Sequence, residues 1–481
     1  MLTLLLASLA SSPSTLGANE IRYEPYAVER DGGRILQGRI GRLAVPEDRA
    51  RPEGPKIELA FARFSTTSPS PSAPIVYLVG GPGPSGIEHG VERADGRLFR
   101  LLDHADVILL DQRGTGRSRP NLEEGPSFEY ELPLDRPATR ADYVAAWTAA
   151  ARRCAAYWSE RGVDLGAFDT RASAADVEDL RRALQLDRIQ LWGESYGTHL
   201  GLAVLRAHPE HVERAVFLRV EGPDDTLKLP STIQRHFEEL GRLAAADPGA
   251  AELMPDLVKT VGELLGRMAA EPVAADALLD GKKARVVMGP WDLQHWLASR
   301  LGFAYEFRDV PRHVSSFAQG DWTLLAAHAV KERRGTIGSA MALAMDCASS
   351  ASAARRERIA REAADPRNLL GDAANAPYPE VCAAFGEVAL EAAFRAPFRC
   401  DVPVLFVSGA LDARTPPENV AILAPHFTKH AHVLVTSAGH ETIEFLDESF
   451  RGLVADFLQG RHVTSRTIEL PPARFRASKR R

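Results

Sequence analysis

Three residues that lie far apart in the chain have the types and the order that nucleophilic catalysis requires. Ser195 lies in the stretch GESYG, and Asp412 and His440 follow it in that order. A serine hydroxyl becomes a good nucleophile only when a base takes its proton, and a carboxylate must orient that base. The pattern therefore indicates acyl transfer through a serine, with His440 as the base and Asp412 as its orienting partner.

The sequence on either side of Ser195 predicts the local structure that such a nucleophile needs. A β-prone apolar run over residues 188–192 precedes it, and apolar residues at helical spacing follow it as far as Pro209. Gly193 and Gly197 lie two residues away on either side, where a sharp turn from strand to helix leaves no room for side chains. The alternative is a serine in an ordinary turn.

Asp412 and His440 each follow a predicted strand directly. The two strands cover residues 404–407 and 433–435, and the carboxyl ends of parallel strands meet at one edge of a sheet. Taken alone, Asp412 is a common turn residue and His440 is one of 14 histidines. Their shared placement favours a catalytic triad, whereas Asp401 precedes its strand and so lies at the wrong end of the sheet.

The elements that must position these residues alternate between strands and helices. Such alternation predicts an α/β fold with a mainly parallel sheet that helices cover on both faces. Two helices are predicted at residues 172–186, with Ser173 as the N-cap, and at 448–458, and Thr415 is predicted to cap the helix after Asp412. The predicted strands cover residues 58–64, 74–79, 105–110, 188–192, 214–220, 402–407 and 432–435.

This alternation stops between residues 223 and 397, where almost no strand-like run appears and apolar residues recur at helical spacing. A crossover between parallel strands needs only about a dozen residues. We therefore predict a large helical cap, inserted into a core that covers residues 19–222 and 398–465. Such an insertion can roof the site, exclude water and limit how much substrate enters. Residues 466–481 are predicted to form a basic tail.

The composition is that of an ordinary globular protein. The chain has 481 residues, of which 45% are hydrophobic and 25% are charged. The formal net charge is −6 and both signs are mixed along the chain, which argues against nucleic acid as the main partner. The basic end over residues 474–481 is short, and we expect it to be solvated.

Residues 1–18 resemble a secretory signal peptide. The apolar run over residues 2–10 is too short to span a bilayer. Small residues follow it, and residues 16–18 offer a cleavage site. Because no basic residue precedes the run, a mis-assigned start codon or a buried helix is the alternative. We expect a secreted or periplasmic protein without stable membrane association.

The chain has four cysteines, and an even number fits disulfides in an exported protein. Cys347 and Cys382 lie in the same segment and are the favoured pair, with buried free thiols as the alternative. No pair has the Cys-x-x-Cys spacing of a zinc or thioredoxin-type site. We therefore expect neither a metal nor another cofactor.

Acyl transfer also needs backbone donors for the oxyanion that forms on the substrate. The amide that directly follows the nucleophile belongs to Tyr196. The second donor should come from the loop after the strand at residues 75–79, where Gly81 allows the backbone to approach the substrate carbonyl closely.

Five segments together resemble the prolyl iminopeptidase and tripeptidyl aminopeptidase group of α/β-hydrolases. They are GGPGPSG, DQRGTGRS, GESYGT, SGALDARTPP and AGHE, which lie in this order between Gly80 and Glu441. The resemblance implies an α/β-hydrolase fold with a helical cap and exopeptidase activity at the free amino end of peptides. It implies the same triad and oxyanion donors as above. Val79 stands where the iminopeptidases have histidine, which favours the tripeptidyl aminopeptidase branch.

An enzyme that acts at a free amino end must hold an ammonium group, and buried carboxylates can do so. Glu221, at the entrance to the predicted cap, is the first candidate, with Asp224 and Asp225 beside it. Glu194 is a further candidate because it adjoins the nucleophile. The alternative is a polar loop at a domain junction. Within DQRGTGRS, Asp111 and Arg113 are predicted to brace the loops around the site.

The sequence thus favours a serine exopeptidase whose partners are peptides with a free amino end. An esterase or a carboxypeptidase-like enzyme on the same fold is the second hypothesis. A catalytically inactive binding protein on a hydrolase scaffold is the third, and the complete triad argues against it.

Overall fold

A sheet of ten strands forms the centre of the computed structural model, which describes residues 21–30, 34–92, 97–386, 388–441, 445, 447–472 and 474–476. Strands β1 to β14 span Ile21–Arg30, Arg34–Pro46, Lys56–Phe64, Ile75–Leu78, Val107–Asp111, Phe128–Glu131, Ile189–Glu194, Val212–Leu218, Val273–Leu279, Lys282–Met288, Arg334–Ile337, Val404–Gly409, His430–Val435 and Arg466–Ile468. The expected signal peptide over residues 1–18 lies outside the described residues.

Seventeen α-helices accompany the strands in the described part of the chain. Helices α1 to α17 span Gly86–Glu92, Arg97–Arg100, Arg140–Ser159, Thr170–Ala183, Tyr196–Ala207, Pro230–Ala246, Pro248–Leu253, Leu257–Ala270, Pro290–Ala298, Ala304–Phe307, Val310–Ala318, Thr323–Arg333, Ala340–Ser349, Ala353–Ala363, Ala392–Arg395, Pro417–Leu423 and Glu448–Leu458.

The strand order in the sheet is β1-β2-β3-β5-β4-β7-β8-β12-β13-β14. The first three strands are antiparallel, and β3 pairs antiparallel with β5. From β5 onward every pairing is parallel. This architecture confirms the predicted α/β fold. The prediction stopped the sheet at residues 432–435 and was wrong there, because β14 pairs with β13 inside the segment that we expected to be a basic tail.

Burial on both faces explains why the central strands are apolar throughout. All residues of β4, β5 and β7 are buried. Along β7, Leu191 packs into the hydrophobic core on one face of the sheet, and Trp192 packs into the core on the other. Parallel strands that are covered on both sides lack the polar residues that alternate in half-exposed strands.

The helix predicted at residues 172–186 begins earlier than expected, at Thr170. Its N-cap is Asp169, whose carboxylate accepts a hydrogen bond from the backbone of Ala172 at 2.6 Å. The prediction of Ser173 as the cap was wrong, because its hydroxyl is buried inside the helix without a hydrogen-bond partner.

The segment between β8 and β12 contains helices α6 to α15, and also strands that the sequence did not predict. Strands β9 and β10 form a hairpin, and β11 pairs with β6 of the core segment. Asp280 and Gly281 make the hairpin turn with φ angles of 50° and 76°. An Asp-Gly pair between β-prone runs is a strong hairpin signal, so this signal was present in the sequence.

The cap has a hydrophobic core of its own, with Phe237, Leu264, Trp296 and Phe317 among its buried side chains. The start of the chain's basic end packs partly against this core through Phe475. Arg476 donates a backbone hydrogen bond to Arg308 at 3.2 Å. The expectation of a fully solvated end is therefore wrong for these residues.

No described helix combines the length and apolar character needed to cross a bilayer.

Candidate active site

Ser195 lies in the turn between β7 and α5, with φ 54° and ψ −125°. A positive φ is unusual for a residue with a side chain and marks a strained turn. The turn packs so tightly that a Cβ at Gly197 would lie 1.9 Å from the carbonyl oxygen of Leu78, and one at Gly193 would lie 2.7 Å from that of Gly197. The structure thus forms the predicted nucleophile turn, and both glycines have the expected role.

The structure brings together the three residues that the sequence predicted as a triad. His440 Nε2 lies 3.0 Å from Ser195 Oγ, and His440 Nδ1 lies 2.8 Å from Asp412 Oδ2. Both distances are within hydrogen-bond range. The arrangement can move a proton from the serine hydroxyl to the imidazole while the carboxylate stabilises the resulting charge.

Asp412 is fully buried and accepts three further hydrogen bonds from its own loop. Its Oδ1 accepts from the backbone amides of Arg414 and Thr415, and its Oδ2 accepts from the Thr415 hydroxyl at 2.7 Å. Burial alone would raise the pKa of Asp412, but the charge and hydrogen bond of His440 and the bonds from Thr415 hold that pKa below its ordinary value. Asp412 is therefore ionised at neutral pH.

The prediction that Thr415 caps the helix after Asp412 was wrong. Helix α16 begins at Pro417, with Pro416 as its N-cap. The Thr415 hydroxyl instead turns toward the predicted triad, where it donates to Asp412 and lies 3.1 Å from His440 Nδ1. Thr415 therefore fixes the position of the carboxylate relative to the imidazole.

His440 has a depressed pKa. Burial lowers the pKa of His440, Asp412 acts in the opposite direction, and the nearby cations Arg414 and Arg219 lower it further. The imidazole is therefore neutral at pH 7, which is the protonation state that a general base requires.

Hydrogen bonds connect the loop that carries His440 to the cap. The backbone amide of His440 donates to the carbonyl of Gly302 at 2.7 Å. The carboxylate of Glu441 accepts from the amides of Gly439 and Ala304, both at 3.0 Å. The role of Glu441 could not be predicted from the sequence, because its partner Ala304 lies 137 residues away in the chain.

The predicted oxyanion donors are Gly81 and Tyr196, the residue that directly follows Ser195. Gly81 and Ser195 line one cavity. Tyr196 is the first residue of α5, and the first amides of a helix have no partner within the helix. The Tyr196 side chain points elsewhere, and its hydroxyl lies 3.0 Å from that of Thr170.

A cavity of about 170 Å³ extends from Ser195 between the core and the cap. Pockets that hold drug-sized ligands measure about 300–1,000 Å³, so this cavity suits a small part of a substrate. Its lining includes Gly81, Ser195, Glu221, Thr226, Leu227, Lys228, Asp346, Ala374, Asn375, Ala376, Tyr378, Arg414 and Thr415.

Glu221, the first predicted amine-binding residue, lies in this cavity and is only 7% exposed. Its backbone amide donates to Thr198 Oγ1 at 2.8 Å, and that hydroxyl donates to the carbonyl of Ser195. Its carboxylate lies 3.5 Å from Lys228 Nζ and accepts a bond from Thr226. Burial opposes ionisation, but Lys228 and other neighbours hold the pKa of Glu221 below its ordinary value.

Asp346 is a second carboxylate in the cavity and was not predicted from the sequence. It lies on α13, is partly buried and interacts with the hydroxyl of Tyr378. Burial, followed by the charge of Glu221, raises the pKa of Asp346 to about 7. The signal in the sequence was a single acidic residue within the apolar run AMALAMDCAS, because ionisable residues are rarely buried unless they are paired.

The other three predicted amine-binding carboxylates have protein partners and are not among the lining residues. Glu194 pairs with Arg219 at 2.8 Å. Asp224 accepts two hydrogen bonds from Ser352, the N-cap residue of α14. Asp225 pairs with Arg355 at 2.8 Å. These contacts favour the structural alternative for all three residues.

The structure joins Cys347 and Cys382 in a disulfide, as predicted, with their Cα atoms 5.3 Å apart. Cys347 follows Asp346 on α13, and Cys382 lies shortly after Tyr378, so the disulfide connects two walls of the cavity. Cys154 and Cys400 are free and buried.

Asp111 and Arg113 brace different parts of the core. Asp111 accepts hydrogen bonds from Ser85 and from the amide of Ile87, and so holds the segment that follows Gly81. Arg113 makes two bonds to Asp176 on α4 and does not reach the cavity. The predicted bracing of the site therefore applies to Asp111.

Among the described residues, one cluster could supply three ligands to a metal ion: Glu178, His208 and His211. His211 directly precedes β8, so the cluster lies at the amino ends of the strands, away from Ser195. Both carboxylate oxygens of Glu178 already accept bonds from Arg181. The cluster is therefore explained as an ion-pair network between α4 and the connection to β8.

Comparison with known proteins agrees with this geometry. Residues 73–445 match the family described as alpha/beta hydrolase fold. The tripeptidyl aminopeptidase of Streptomyces lividans is 27% identical over 315 residues, which cover 63% of this chain and 57% of the relative. The serine protease Hip1 of Mycobacterium tuberculosis is 32% identical over 214 residues, which cover 43% of this chain and 41% of the relative.

A proline iminopeptidase of Xylella fastidiosa is 29% identical over 143 residues, which cover 30% of this chain and 31% of the relative. The chain thus spans between 31% and 57% of the length of these three relatives. The solved proline iminopeptidase of Mycobacterium smegmatis is 15% identical with a TM-score of 0.38, covering 87% of this chain and 98% of that chain. The resemblance seen in the sequence motifs is confirmed. The chain belongs to the α/β-hydrolase family.

Proposed function

We propose that this protein is a serine aminopeptidase that releases single residues or short peptides from the free amino end of peptides. The observation that carries the proposal is that two carboxylates, Glu221 and Asp346, line the same small cavity as Ser195. An ammonium group held there would place a nearby peptide carbonyl at the nucleophile. A carboxylate offers such an ammonium a charge-assisted hydrogen bond, which is stronger than a neutral one.

The chemical steps follow from the positions of three side chains. Ser195 Oγ attacks the carbonyl carbon while His440 Nε2, 3.0 Å away, takes the hydroxyl proton. Asp412 holds Nδ1 and stabilises the imidazolium. His440 then gives the proton to the departing amine, which leaves an acyl-enzyme at Ser195. A water molecule, activated by the same imidazole, hydrolyses that ester.

The tetrahedral intermediates carry a negative oxygen that needs fixed donors. The amides of Tyr196 and Gly81 are the proposed donors, since one begins α5 and the other lines the cavity beside Ser195. Fixed donors aimed at the developing charge are usually the largest single contribution to such catalysis.

The charges of the inner cavity fit the binding of a cation. Lys228 neutralises one carboxylate charge at Glu221, where the two groups are 3.5 Å apart. Ionised Asp346 adds a second negative charge, which leaves the inner wall with one uncompensated negative charge. The amino end of a peptide supplies the matching positive charge, whereas an acetylated end does not.

The test compares p-nitroanilides of single residues and of tripeptides with and without an N-terminal acetyl group. We expect acetylation to lower kcat/KM at least about tenfold, the effect of losing one hydrogen bond to a charged group. Equal turnover of both forms would contradict the proposal and favour an esterase of broad specificity. Cleavage from the carboxyl end of acetylated peptides would indicate a carboxypeptidase-like enzyme. Failure of a fluorophosphonate to label Ser195 would indicate an inactive binding protein.

We further propose that the protein is exported. The disulfide between Cys347 and Cys382 supports this, because disulfides persist in oxidising compartments and are rare in the cytosol.

A further inference from the structure

Arg414 lies at the rim of the cavity that contains Ser195. It stands two residues after Asp412, and its backbone amide donates to Asp412 Oδ1 at 2.8 Å. The backbone of Arg414 is therefore fixed by the same loop that fixes the predicted triad.

Two neighbours from the cap orient the Arg414 side chain. Its stem runs along Gly302 so closely that a Cβ there would lie 2.6 Å from Arg414 Cδ. Its guanidinium carbon lies 5.7 Å from the centre of the Phe303 ring, within the range of a cation–π contact. The same ring packs edge-on against His440 at 5.6 Å. The guanidinium is thus held on the His440 side of the cavity.

The guanidinium has no carboxylate partner among the residues that the structure describes. Arg414 is exposed, unlike the buried arginines Arg219 and Arg333, which pair with Glu194 and Asp292. The positive charge of Arg414 nonetheless acts on titratable groups inside the site. It lowers the pKa of His440 and also acts to lower the pKa of Asp346. An arginine keeps its charge at all physiological pH values and offers five donors, so this side chain is available to an anion on the substrate.

The position of Arg414 indicates which part of the substrate would meet it. In acyl transfer the leaving amine departs next to the imidazole that gives it a proton, and Arg414 is connected to His440 through Phe303. Since Arg414 adds one positive charge at the rim to the one negative charge of the inner wall, the cavity as a whole complements a zwitterion.

We propose that Arg414 binds a carboxylate on the leaving residue, so that the preferred substrates are short peptides whose free carboxyl end directly follows the cleaved bond. This inference rests on the proposed aminopeptidase function and names the substrate class of the same site. A guanidinium can hold a carboxylate through two parallel hydrogen bonds, which gives both affinity and orientation.

The experiment uses three peptides that share one acyl part, chosen as the part of the p-nitroanilide that the enzyme hydrolyses fastest. The leaving groups are alanine, alanine amide and aspartic acid amide. We expect the KM for the alanine peptide to be at least about tenfold lower than for the alanine amide peptide. Arg414→Gln should reduce the ratio of the KM for the alanine amide peptide to the KM for the alanine peptide to about one. Arg414→Lys should retain part of the difference, because lysine keeps the positive charge.

The aspartic acid amide distinguishes the two sources of a carboxylate. A low KM for this peptide would show that a side-chain carboxylate is also accepted and would extend the substrate class to internal acidic residues. Arg242→Gln is the matched control, because Arg242 is an exposed arginine on α6 that pairs with Glu239. This control should keep the wild-type ratio.

A KM ratio near one in the wild type, or an unchanged ratio in Arg414→Gln, would overturn the role of Arg414. The ratio can be measured with any acyl part that the enzyme accepts, so it is independent of the requirement for a free amine. Equal turnover of free and acetylated p-nitroanilides would refute the aminopeptidase proposal alone. A protein that hydrolyses none of these compounds would refute both.

Discussion

Glu194 and Arg219 form a buried ion pair, with Oε2 and Nη2 2.8 Å apart, at the ends of the neighbouring strands β7 and β8. Their side chains are 11% and 4% exposed, and Trp192 Nε1 donates to the same carboxylate. Ser195 directly follows Glu194. The pair therefore fixes the strand end that presents the nucleophile, and Glu194 is explained without a role in substrate binding.

We predict that Glu194→Ala lowers the free energy of unfolding by about 3–5 kcal/mol, because the substitution breaks a buried ion pair by removing one of its two charges. Urea unfolding measures the change. Glu239→Ala, which breaks the exposed pair with Arg242, is the control and should cost less than about 1 kcal/mol. A small loss of stability for Glu194→Ala together with a raised KM for free-amine peptides would show instead that Glu194 binds substrate.

The hydrogen bonds between Ser195, His440 and Asp412 predict strongly non-additive substitutions. Ser195→Ala and His440→Ala should each remove most activity while the protein stays folded, because the proton transfer needs both groups. The double variant should be only slightly slower than either single variant, since the residues act as one unit. Comparison of kcat/KM for the three variants measures this. Losses that multiply independently would contradict the assignment of the triad.

Glu221→Gln is predicted to weaken the binding of free-amine peptides while leaving the hydrolysis of an activated acetyl ester almost unchanged. The change removes a charged acceptor from the cavity, and a hydrogen bond to a charged group contributes about 1.5–3 kcal/mol. The expected result is a rise in KM by the corresponding factor of about 10 to 150. If peptide and ester hydrolysis suffer equally, Glu221 is structural, and Asp346 becomes the principal amine-binding residue.

Two groups in the site should give separate steps in the pH profile. The pKa of His440 is lowered, so protonation inactivates the base only as the pH falls below the ordinary histidine value of 6.5. Hydrolysis of an acetyl ester, which has no amine, should therefore lose activity only below that pH. Asp346 has its pKa raised to about 7, so free-amine substrates should bind more tightly as the pH rises through 7 and Asp346 ionises.

Asp346→Asn is the variant that separates the two steps. It should abolish the step near pH 7 in kcat/KM for free-amine substrates and leave the acid limb of ester hydrolysis in place. A step near pH 7 that persists in this variant would mean that another group is responsible.

The turn that carries Ser195 could be predicted because its strand, its glycines and its helix lie within about 20 residues, and local patterns of this kind are the most reliable. The role of Asp346 and the strand β14 were not predicted, because both depend on contacts between distant parts of the chain. Asp346 comes to line the same cavity as Ser195 only when α13 packs against the core. Strand β14 is only three residues long and depends on β13 for its hydrogen bonds.

Export makes a prediction about the mature protein in its natural host. Mass spectrometry should find an amino end near Asn19 and no free thiol at Cys347 or Cys382, because secretion removes the leader and oxidises the pair. A cytoplasmic protein that retains Met1 would refute this prediction.

The disulfide between Cys347 and Cys382 makes a last prediction, which concerns both stability and substrate binding. The cysteines are 35 residues apart in sequence, and closing a loop of that size stabilises a fold by about 3–4 kcal/mol in the chain-entropy account. The bond also connects α13, which carries Asp346, to the segment that carries Tyr378. Substituting both cysteines with serine should therefore lower the melting temperature and raise the KM for free-amine peptides more than the KM for an acetyl ester.

Cys154→Ala, which alters a buried free thiol outside the cavity lining, is the control and should affect the two KM values equally. If the double serine variant also changes both KM values equally, the disulfide stabilises the fold without shaping the amine site.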